Sequence, residues 1–205
     1  MKNIQWLFFD IGSTLVDESE CYRQRVLAMI QGTDIKYDDF FSDMLSFYQK
    51  GEKGDKMAAA KYGLTVPSWK SEDEFLFPDA KRALEKLRPR YRLGIIANQE
   101  PGTAQRLRSF GIDGYFDVIA ASAEAGVAKP DPRIFLLALE RADCAPEEAV
   151  MIGDRLDNDI APANRLGMKT VRILRGFGQF APIRNADENA DYTVSDLDEL
   201  CRILS

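Results

Sequence analysis

Short apolar runs recur along the chain, and segments with a helical pattern of apolar positions separate most of them. Such runs, bounded by polar residues, are typical of strands that are buried on both faces of a parallel sheet. We predict strands of this kind at residues 6–9, 93–97, 117–121, 149–152 and 170–174. Strands that alternate with helices indicate βαβ units, so the pattern predicts an α/β fold built on a parallel sheet.

Two of the intervening segments carry the i, i+3, i+4, i+7 spacing that marks one buried helix face. The first consists of Ala80, Ala83, Leu84 and Leu87, and the second of Phe135, Ala138, Leu139 and Ala142. Towards the end of the chain, residues 191–194 are expected to form an edge strand. Residues 195–200 are expected to form a closing helix.

The stretch between residues 16 and 77 breaks this alternation, because no second strand follows the first until residue 93. It contains two apolar stripes with helical spacing: Val26, Leu27 and Ile30, and then Tyr37, Phe40, Phe41, Met44 and Tyr48. We interpret the stretch as a helical insertion after the first strand. Ligands of open α/β sheets bind beyond the carboxyl ends of the strands, where this insertion would act as a lid.

Two smaller segments are interpreted as ordinary turns. One is a polar cluster, expected to be a solvated turn: Lys50, Glu52, Lys53, Asp55 and Lys56. The other is Gly176-Phe-Gly178, which follows a predicted strand but opens no clear helix, so it makes a poor phosphate-binding loop.

Composition narrows the chemistry that the chain can perform. The 205 residues include no histidine, and 27 basic against 33 acidic side chains give a net charge of −6. Mechanisms that need an imidazole are therefore excluded, including Ser-His-Asp triads and His-ligated zinc sites. The acidic balance also argues against nucleic acid as a partner, because phosphate backbones bind basic surfaces.

The cysteines and the apolar runs bear on the cellular compartment. Cys21, Cys144 and Cys201 are widely spaced and odd in number, which favours small buried hydrophobes over a disulfide framework or a zinc ribbon. No apolar run approaches the ~20 residues that a membrane span needs, and the first run is too short for a signal peptide. We expect a cytoplasmic protein with no membrane partner.

Four polar features lie at or just beyond predicted strand ends, where they should meet in one crevice. Asp10 ends the first strand in Phe-Phe-Asp-Ile-Gly-Ser-Thr-Leu, and Asn98 follows the strand at 93–97. Lys129 lies in Ala-Lys-Pro-Asp-Pro, and the acidic segment 154–159 follows the strand at 149–152. Taken singly, each feature could be a turn residue, a solvated lysine or a helix cap. Their shared placement is what indicates a functional site.

In their order along the chain, these four segments resemble the motifs of the haloacid dehalogenase-like hydrolase superfamily. The resemblance implies a Rossmann-like core and, in one subclass, a helical cap between the first and second motifs. It places a core domain at residues 1–15 and 78–205 and a cap subdomain at residues 16–77. The interval from Asn98 to Lys129 is too short for the large cap that other subclasses carry there.

The resemblance implies a Mg²⁺-dependent hydrolase in which Asp10 is the nucleophile and forms an aspartyl-phosphate. Asp10, Asp154 and the backbone carbonyl of Gly12 would bind the metal. A carboxylate can attack an anionic phosphate ester only if the charge repulsion is neutralised, and Mg²⁺ held by one or two carboxylates supplies that neutralisation.

The remaining motif residues would act on the substrate or support the site. By resemblance, Lys129 pairs with Asp10 and with the phosphoryl oxygens, and Asn98 contributes to substrate binding. Asp159 would support the metal or hold Lys129, whereas Asp157 has no assignable role and is expected at a helix start or on the surface. The expected partner is a small phosphorylated metabolite, bound by a monomer or a homodimer.

Two positions depart from the family pattern. The acid–base aspartate expected two residues after the nucleophile is Gly12, and the hydroxyl residue expected in the second motif is Ala97. Glycine cannot transfer protons, and a general acid is commonly worth ~10²–10⁴-fold in rate. A carboxylate such as Glu18, Glu20 or Glu100 could take over, although each also fits an ordinary solvated charge.

Three functions therefore remain open at this level. The first is a phosphatase that acts through Asp10, since family members with glycine at the second position look similar to some sugar-phosphate phosphatases. The second is a catalytically weakened protein that serves in binding or regulation. The third is a dehalogenase-type hydrolase that attacks carbon without a metal, against which the acidic segment 154–159 argues.

Overall fold

A six-stranded parallel sheet forms the centre of the molecule. The structure is a computed structural model that describes residues 3–204. In chain order the described strands are β1 (Trp6–Phe9), β2 (Val16–Asp17), β3 (Phe75–Leu76), β4 (Arg92–Ala97), β5 (Val118–Ala121), β6 (Ala149–Gly153), β7 (Lys169–Ile173) and β8 (Tyr192–Val194). The central sheet has the order β5-β4-β1-β6-β7-β8, while β2 and β3 form a separate antiparallel pair. The predicted α/β class is confirmed. Residues 1, 2 and 205 of the expected core lie outside the described residues.

Helices connect the strands and cover both faces of the sheet. They are α1 (Ser19–Ile30), α2 (Tyr37–Tyr48), α3 (Gly54–Lys61), α4 (Ala80–Leu87), α5 (Thr103–Ser109), α6 (Ser122–Ala125), α7 (Pro132–Ala142), α8 (Ala161–Leu166) and α9 (Leu197–Ile203). Helix α7 begins where the Asp131 side chain accepts a hydrogen bond from the Arg133 amide, with Pro132 in the first turn. Among the residues described, no helix is both long enough and apolar enough to span a bilayer.

Alternate side chains of β1 enter two separate apolar clusters, one on each face of the sheet. Leu7 and Phe9 pack with α4 and α9 on one face, whereas Trp6 and Phe8 pack with α7 on the other. Burial on both faces is why β1 is an uninterrupted apolar run. The predicted strands are confirmed, each end lying within one residue of its predicted position.

Helices α1, α2 and α3 pack around an apolar cluster of their own. In α2, Phe40, Met44 and Tyr48 form the predicted buried stripe. The stripe predicted in α1 is partly wrong, because Leu27 is exposed and Met29 is buried instead. We call residues 19–61, which contain these three helices, the helical segment.

The interpretation of residues 50–56 as a solvated turn is correct for residues 50–53, whose charged side chains are exposed, but wrong from Gly54 onwards. Helix α3 starts at Gly54, and the side chain of Asp55 is buried against Arg25, with 2.9 Å between Oδ2 and Nη1. A Cβ on Gly54 would collide with the Tyr48 ring and with a main-chain oxygen of α2. The glycine therefore permits the close approach of α3 to α2, and the ion pair ties α3 to α1.

Candidate active site

The candidate site lies where the carboxyl ends of three neighbouring strands meet. Asp10 follows β1, Asn98 follows β4 and Asp154 follows β6, and β1 lies between the other two strands in the sheet. Lys129 joins them from the loop between α6 and α7. Together they line a cleft of about 120 Å³. The structure thus brings all four sequence features into one place.

Lys129 forms the centre of the site. Its Nζ donates to Oδ1 of Asp10 and to Oδ1 of Asp159, and both distances are 2.6 Å. The Lys129 side chain is only 2% exposed. Burial alone would lower the pKa of this ammonium group, but the negative charges of Asp10 and Asp159 outweigh it and hold the pKa above its usual range. The lysine is therefore a fixed cation beside the expected nucleophile.

Asn98 holds the main chain of Lys129 at both of its polar atoms. Nδ2 of Asn98 donates to the carbonyl of Lys129 at 2.9 Å, and Oδ1 accepts from its amide at 2.7 Å. The sequence predicted Asn98 as a substrate-binding residue. The structure places it in the wall of the cleft, with its amide group directed at the lysine loop.

A π-helical turn at Leu156–Ile160 arranges the acidic segment after β6. It buries Asp159, whose Oδ2 accepts from the Arg155 amide at 2.9 Å. Asp157 instead pairs with the Arg155 side chain, at 2.8 Å from Nη2 to Oδ2, and is half-buried. The segment therefore directs Asp154 and Asp159 to the cleft and Asp157 away from it, a separation that the spacing in the sequence did not show.

Three carboxylates in the cleft are arranged as a cation site. Asp10, Asp154 and Asp159 each offer one oxygen, and these oxygens all lie within 4.8 Å of one another. Burial and the two neighbouring carboxylates raise the pKa of Asp154 well above its ordinary value. Carboxylate oxygens are the ligands that Mg²⁺ prefers, so this donor set fits the expected metal. Gly12 lines the same cleft.

Glu18 lines the cleft, although the sequence favoured a solvated position for it. It lies between β2 and α1, and its Oε2 accepts a hydrogen bond of 3.0 Å from Oγ of Ser13. Burial, together with the charge of Asp10, raises the pKa of Glu18 to about 7. The ordinary interpretation of Glu18 as a solvated charge is wrong. By contrast, Glu20 pairs with Arg23 on the outside of α1.

The loop after β7 contributes a further wall of the site. Phe177 stacks on Tyr48 with 4.5 Å between ring centroids, and meets Tyr22 edge-on at 4.8 Å. Gly178 lies next to Asp154 and lines the cleft with Phe177. The interpretation of this segment as merely a turn was incomplete. A signal for its role was the pair of glycines flanking an aromatic residue just beyond a strand end.

A larger cavity of about 810 Å³ adjoins the cleft. The two share Glu18, Tyr22, Asn98 and Gln99 in their walls. On its far side, Arg106 donates to Glu74 at 2.7 Å, which places a fixed ion pair in the wall. The cleft therefore opens into a space large enough for the remainder of a small ligand.

Comparisons with known proteins agree with this geometry. Residues 4–167 match the family described as haloacid dehalogenase-like hydrolase. The chain is 31% identical to a glyceraldehyde 3-phosphate phosphatase of Methanopyrus kandleri, covering 98% of this chain and 97% of the relative. It is 28% identical to a ribulose-1,5-bisphosphate 5-phosphatase of Halopiger xanaduensis, covering 97% and 98%. A solved HAD phosphatase from Thermococcus onnurineus has a TM-score of 0.68 and 27% identity, covering 98% of both chains.

Proposed function

Because the chain belongs to the haloacid dehalogenase-like hydrolase family, we propose that it hydrolyses the phosphate monoester of a small metabolite. The observation that carries the proposal is the buried Lys129, which bridges Asp10 and Asp159 at 2.6 Å in each contact. It lies at the sheet end where α/β proteins bind ligands. The functions of the two phosphatase relatives support a phosphorylated sugar or a related three- to five-carbon compound as the substrate class.

Asp10 is the nucleophile in this proposal. Lys129 fixes Oδ1 of Asp10, and we assign the attack on phosphorus to Oδ2, which produces an aspartyl-phosphate. The ammonium group of Lys129 offsets the repulsion between the carboxylate and the phosphoryl oxygens. Asn98 keeps the lysine in place through its main chain, so its share in substrate binding includes this positioning.

The three clustered carboxylates fit a divalent cation, and we assign Mg²⁺ to this site. Asp10, Asp154 and the backbone carbonyl of Gly12 would hold it, and Asp159 would support it while it anchors Lys129. When bound, Mg²⁺ neutralises charge on the transferring phosphoryl group. The residues themselves provide the attacking oxygen, the fixed lysine charge and the walls of the cleft.

We further propose that residues 16–77 act as a cap that selects the substrate. In support of this, the helical segment has its own apolar cluster, and its Tyr22 and Tyr48 line the cleft. A cytoplasmic location belongs to the same proposal. It is supported by the sequence, in which three widely spaced cysteines do not suggest a disulfide framework.

The decisive experiment compares Asp10→Asn with a matched variant, Asp157→Asn, which removes a carboxylate that points away from the cluster. With p-nitrophenyl phosphate and Mg²⁺, Asp10→Asn should lose turnover by at least about 10³-fold, as expected when a covalent nucleophile is removed. Asp157→Asn should stay within a few-fold of the parent. Equal rates in the parent and Asp10→Asn would refute the proposal.

The rival activities predict different results. A panel of sugar phosphates and other small phosphate esters, assayed with Mg²⁺ and with EDTA, identifies the substrate and tests the metal. Halide release from a 2-haloacid in EDTA would favour attack on carbon. Tight binding of a phosphorylated metabolite without turnover would favour a binding protein.

A further inference from the structure

The carboxyl group of Glu18 lies in the cleft but outside the cluster of Lys129, Asp10, Asp154 and Asp159, which we call the lysine-centred cluster. Four carboxylates line the cleft in the described part of the chain: Asp10, Glu18, Asp154 and Asp159. The three aspartates lie close enough together to share a cation, and two of them bind Lys129 directly. Glu18 instead accepts its hydrogen bond from Ser13, a neutral hydroxyl.

The place of this carboxyl group is defined by Gly12. A Cβ built on Gly12 would lie 2.7 Å from the carboxyl carbon of Glu18 and 2.8 Å from its Oε2. Real Cβ atoms do not approach other heavy atoms so closely. Gly12 does not have the positive φ that favours glycine, so its backbone does not require this residue type. The Glu18 carboxyl group occupies the space that a side chain at position 12 would enter, so a larger residue there would displace it.

Position 12 is two residues after Asp10, at the turn that leaves β1. The Glu18 carboxyl group therefore lies beside this turn, in the wall of the cleft that Asp10 also lines. Ser13 has a left-handed backbone with φ of 55°, which a non-glycine residue seldom adopts, and its Oγ points to Glu18. The local backbone thus holds the carboxyl group in one position at the mouth of the larger cavity.

Resting on the proposed phosphatase function, we infer that Glu18 is the general acid and base of the reaction. In the first step, a bond forms between Asp10 and phosphorus, the bond from phosphorus to the leaving oxygen breaks, and Glu18 gives its proton to that oxygen. In the second step, water attacks phosphorus, the bond to Asp10 breaks, and the Glu18 carboxylate takes the proton from water. Inorganic phosphate then leaves, and both side chains return to their starting state.

The first test uses Glu18→Gln, which keeps the shape of the side chain and removes proton transfer. Turnover of an alkyl phosphate, whose leaving group needs a proton, should fall by ~10²–10⁴-fold. Phosphorylation of Asp10 by p-nitrophenyl phosphate should fall much less, because nitrophenolate leaves without a proton. Since the second step is also slowed, phosphorylated Asp10 should accumulate and be detected by mass spectrometry after rapid quenching.

The second test moves the carboxyl group back to position 12. Gly12→Asp alone should displace the flexible Glu18 side chain, because its Cβ would enter the space of that carboxyl group. Combined with Glu18→Ala, the same change should recover at least tenfold over Glu18→Ala alone on the alkyl phosphate. If Glu18→Gln fails to fold, the comparison of this double variant with Glu18→Ala still tests the role of Glu18. Glu20→Gln, two residues along α1 and paired with Arg23, is the matched control and should keep the parent's rates.

The possible results distinguish failure of the acid–base role of Glu18 from failure of the proposed phosphatase function. If the parent hydrolyses phosphate esters through Asp10 and Glu18→Gln keeps the same dependence on the leaving group, the acid–base role of Glu18 is wrong and the phosphatase remains. Equal losses on both substrates without a phosphorylated intermediate would also overturn it. If Asp10→Asn is as active as the parent, the proposed function itself fails.

Discussion

Gly178 lies so close to Asp154 that a Cβ on this glycine would be 2.6 Å from the main-chain oxygen of Asp154 and nearer still to its carboxylate. The loop after β7 therefore packs against the expected metal ligand without a side chain between them. Gly178 has no left-handed backbone that would otherwise require glycine. The residue is needed for the close approach alone.

Gly178→Ala should displace Asp154 and weaken Mg²⁺ binding. We expect a loss of about 10–100-fold in metal affinity or activity, as found when groups that orient metal ligands are changed. Gly114→Ala is the matched control, because a Cβ there meets no atom within 4 Å and its φ is ordinary. Activity and thermal unfolding measured across a Mg²⁺ titration check both variants. The same apparent Mg²⁺ affinity in both would contradict the assigned contact.

Lys129→Met should destabilise the fold in the absence of metal. It leaves three carboxylates clustered within 4.8 Å with their buried cation removed, for which we expect a cost of about 3–5 kcal/mol in the free energy of unfolding. Saturating Mg²⁺ should restore part of the lost free energy of unfolding, since a ligand at 100 times its Kd stabilises the folded state by about 2.7 kcal/mol.

Lys61→Met provides the comparison for this variant. Lys61 pairs with Asp43 on the surface, where its side chain is 49% exposed, so its loss should change the free energy of unfolding little. Chemical denaturation with and without Mg²⁺ measures both changes. A Lys129→Met protein as stable as Lys61→Met in EDTA would show that the buried charges do not depend on the lysine.

Phe177→Ala should loosen the helical segment from the rest of the molecule. The variant removes a stacked contact with Tyr48 and an edge contact with Tyr22, and such pairs contribute about 0.5–1.5 kcal/mol each. We expect faster amide hydrogen exchange in α1 and α2, and a KM that rises more than kcat falls. Phe180→Ala, in the same loop but 41% exposed, should change neither measurement appreciably.

Asn98→Ala should lower kcat more than it raises KM. The variant removes both hydrogen bonds to the main chain of Lys129, and a displacement of about 1 Å at a reacting group can cost ~10²-fold. Steady-state kinetics on the best substrate distinguish this from loss of a direct substrate contact, which would appear mainly in KM. Asn185→Ala, which removes a surface turn cap, is the control for losing an asparagine.

Most of the sheet was predictable from the sequence because its inner strands are buried on both faces and contain apolar runs. Their limits, and those of the exposed edge strand β8, could be located within one residue. Helix α3 was missed for the opposite reason. Its buried surface consists of small residues and of Asp55, whose charge is offset by Arg25 from a distant part of the chain. No local pattern marks such a helix.

The residues of the candidate site also divide into those that the sequence could predict and those that it could not. Asp10, Asn98, Lys129 and Asp154 follow strands or lie in loops at one edge of the sheet, so their convergence could be expected, although their chemical roles remain predictions. The parts of Glu18 and Gly178 in the site were not predictable, because they depend on close contacts within the fold. Glu18 lies next to Gly12 across a turn, and Gly178 lies next to Asp154. In the sequence, the signal for each contact is a glycine: Gly12 beside Glu18, and Gly178 itself.

The loops at the sheet edge supply every member of the lysine-centred cluster, and the helical segment supplies none of it. In the helical segment, Tyr22 and Arg25 of α1 line the adjoining cavity. If residues 16–77 act as the proposed cap, substitutions at these two positions change the cavity while the charges around Asp10 stay balanced. Substrate preference can then be altered within one helix, with Glu18 and the contact between Phe177 and Tyr48 kept unchanged.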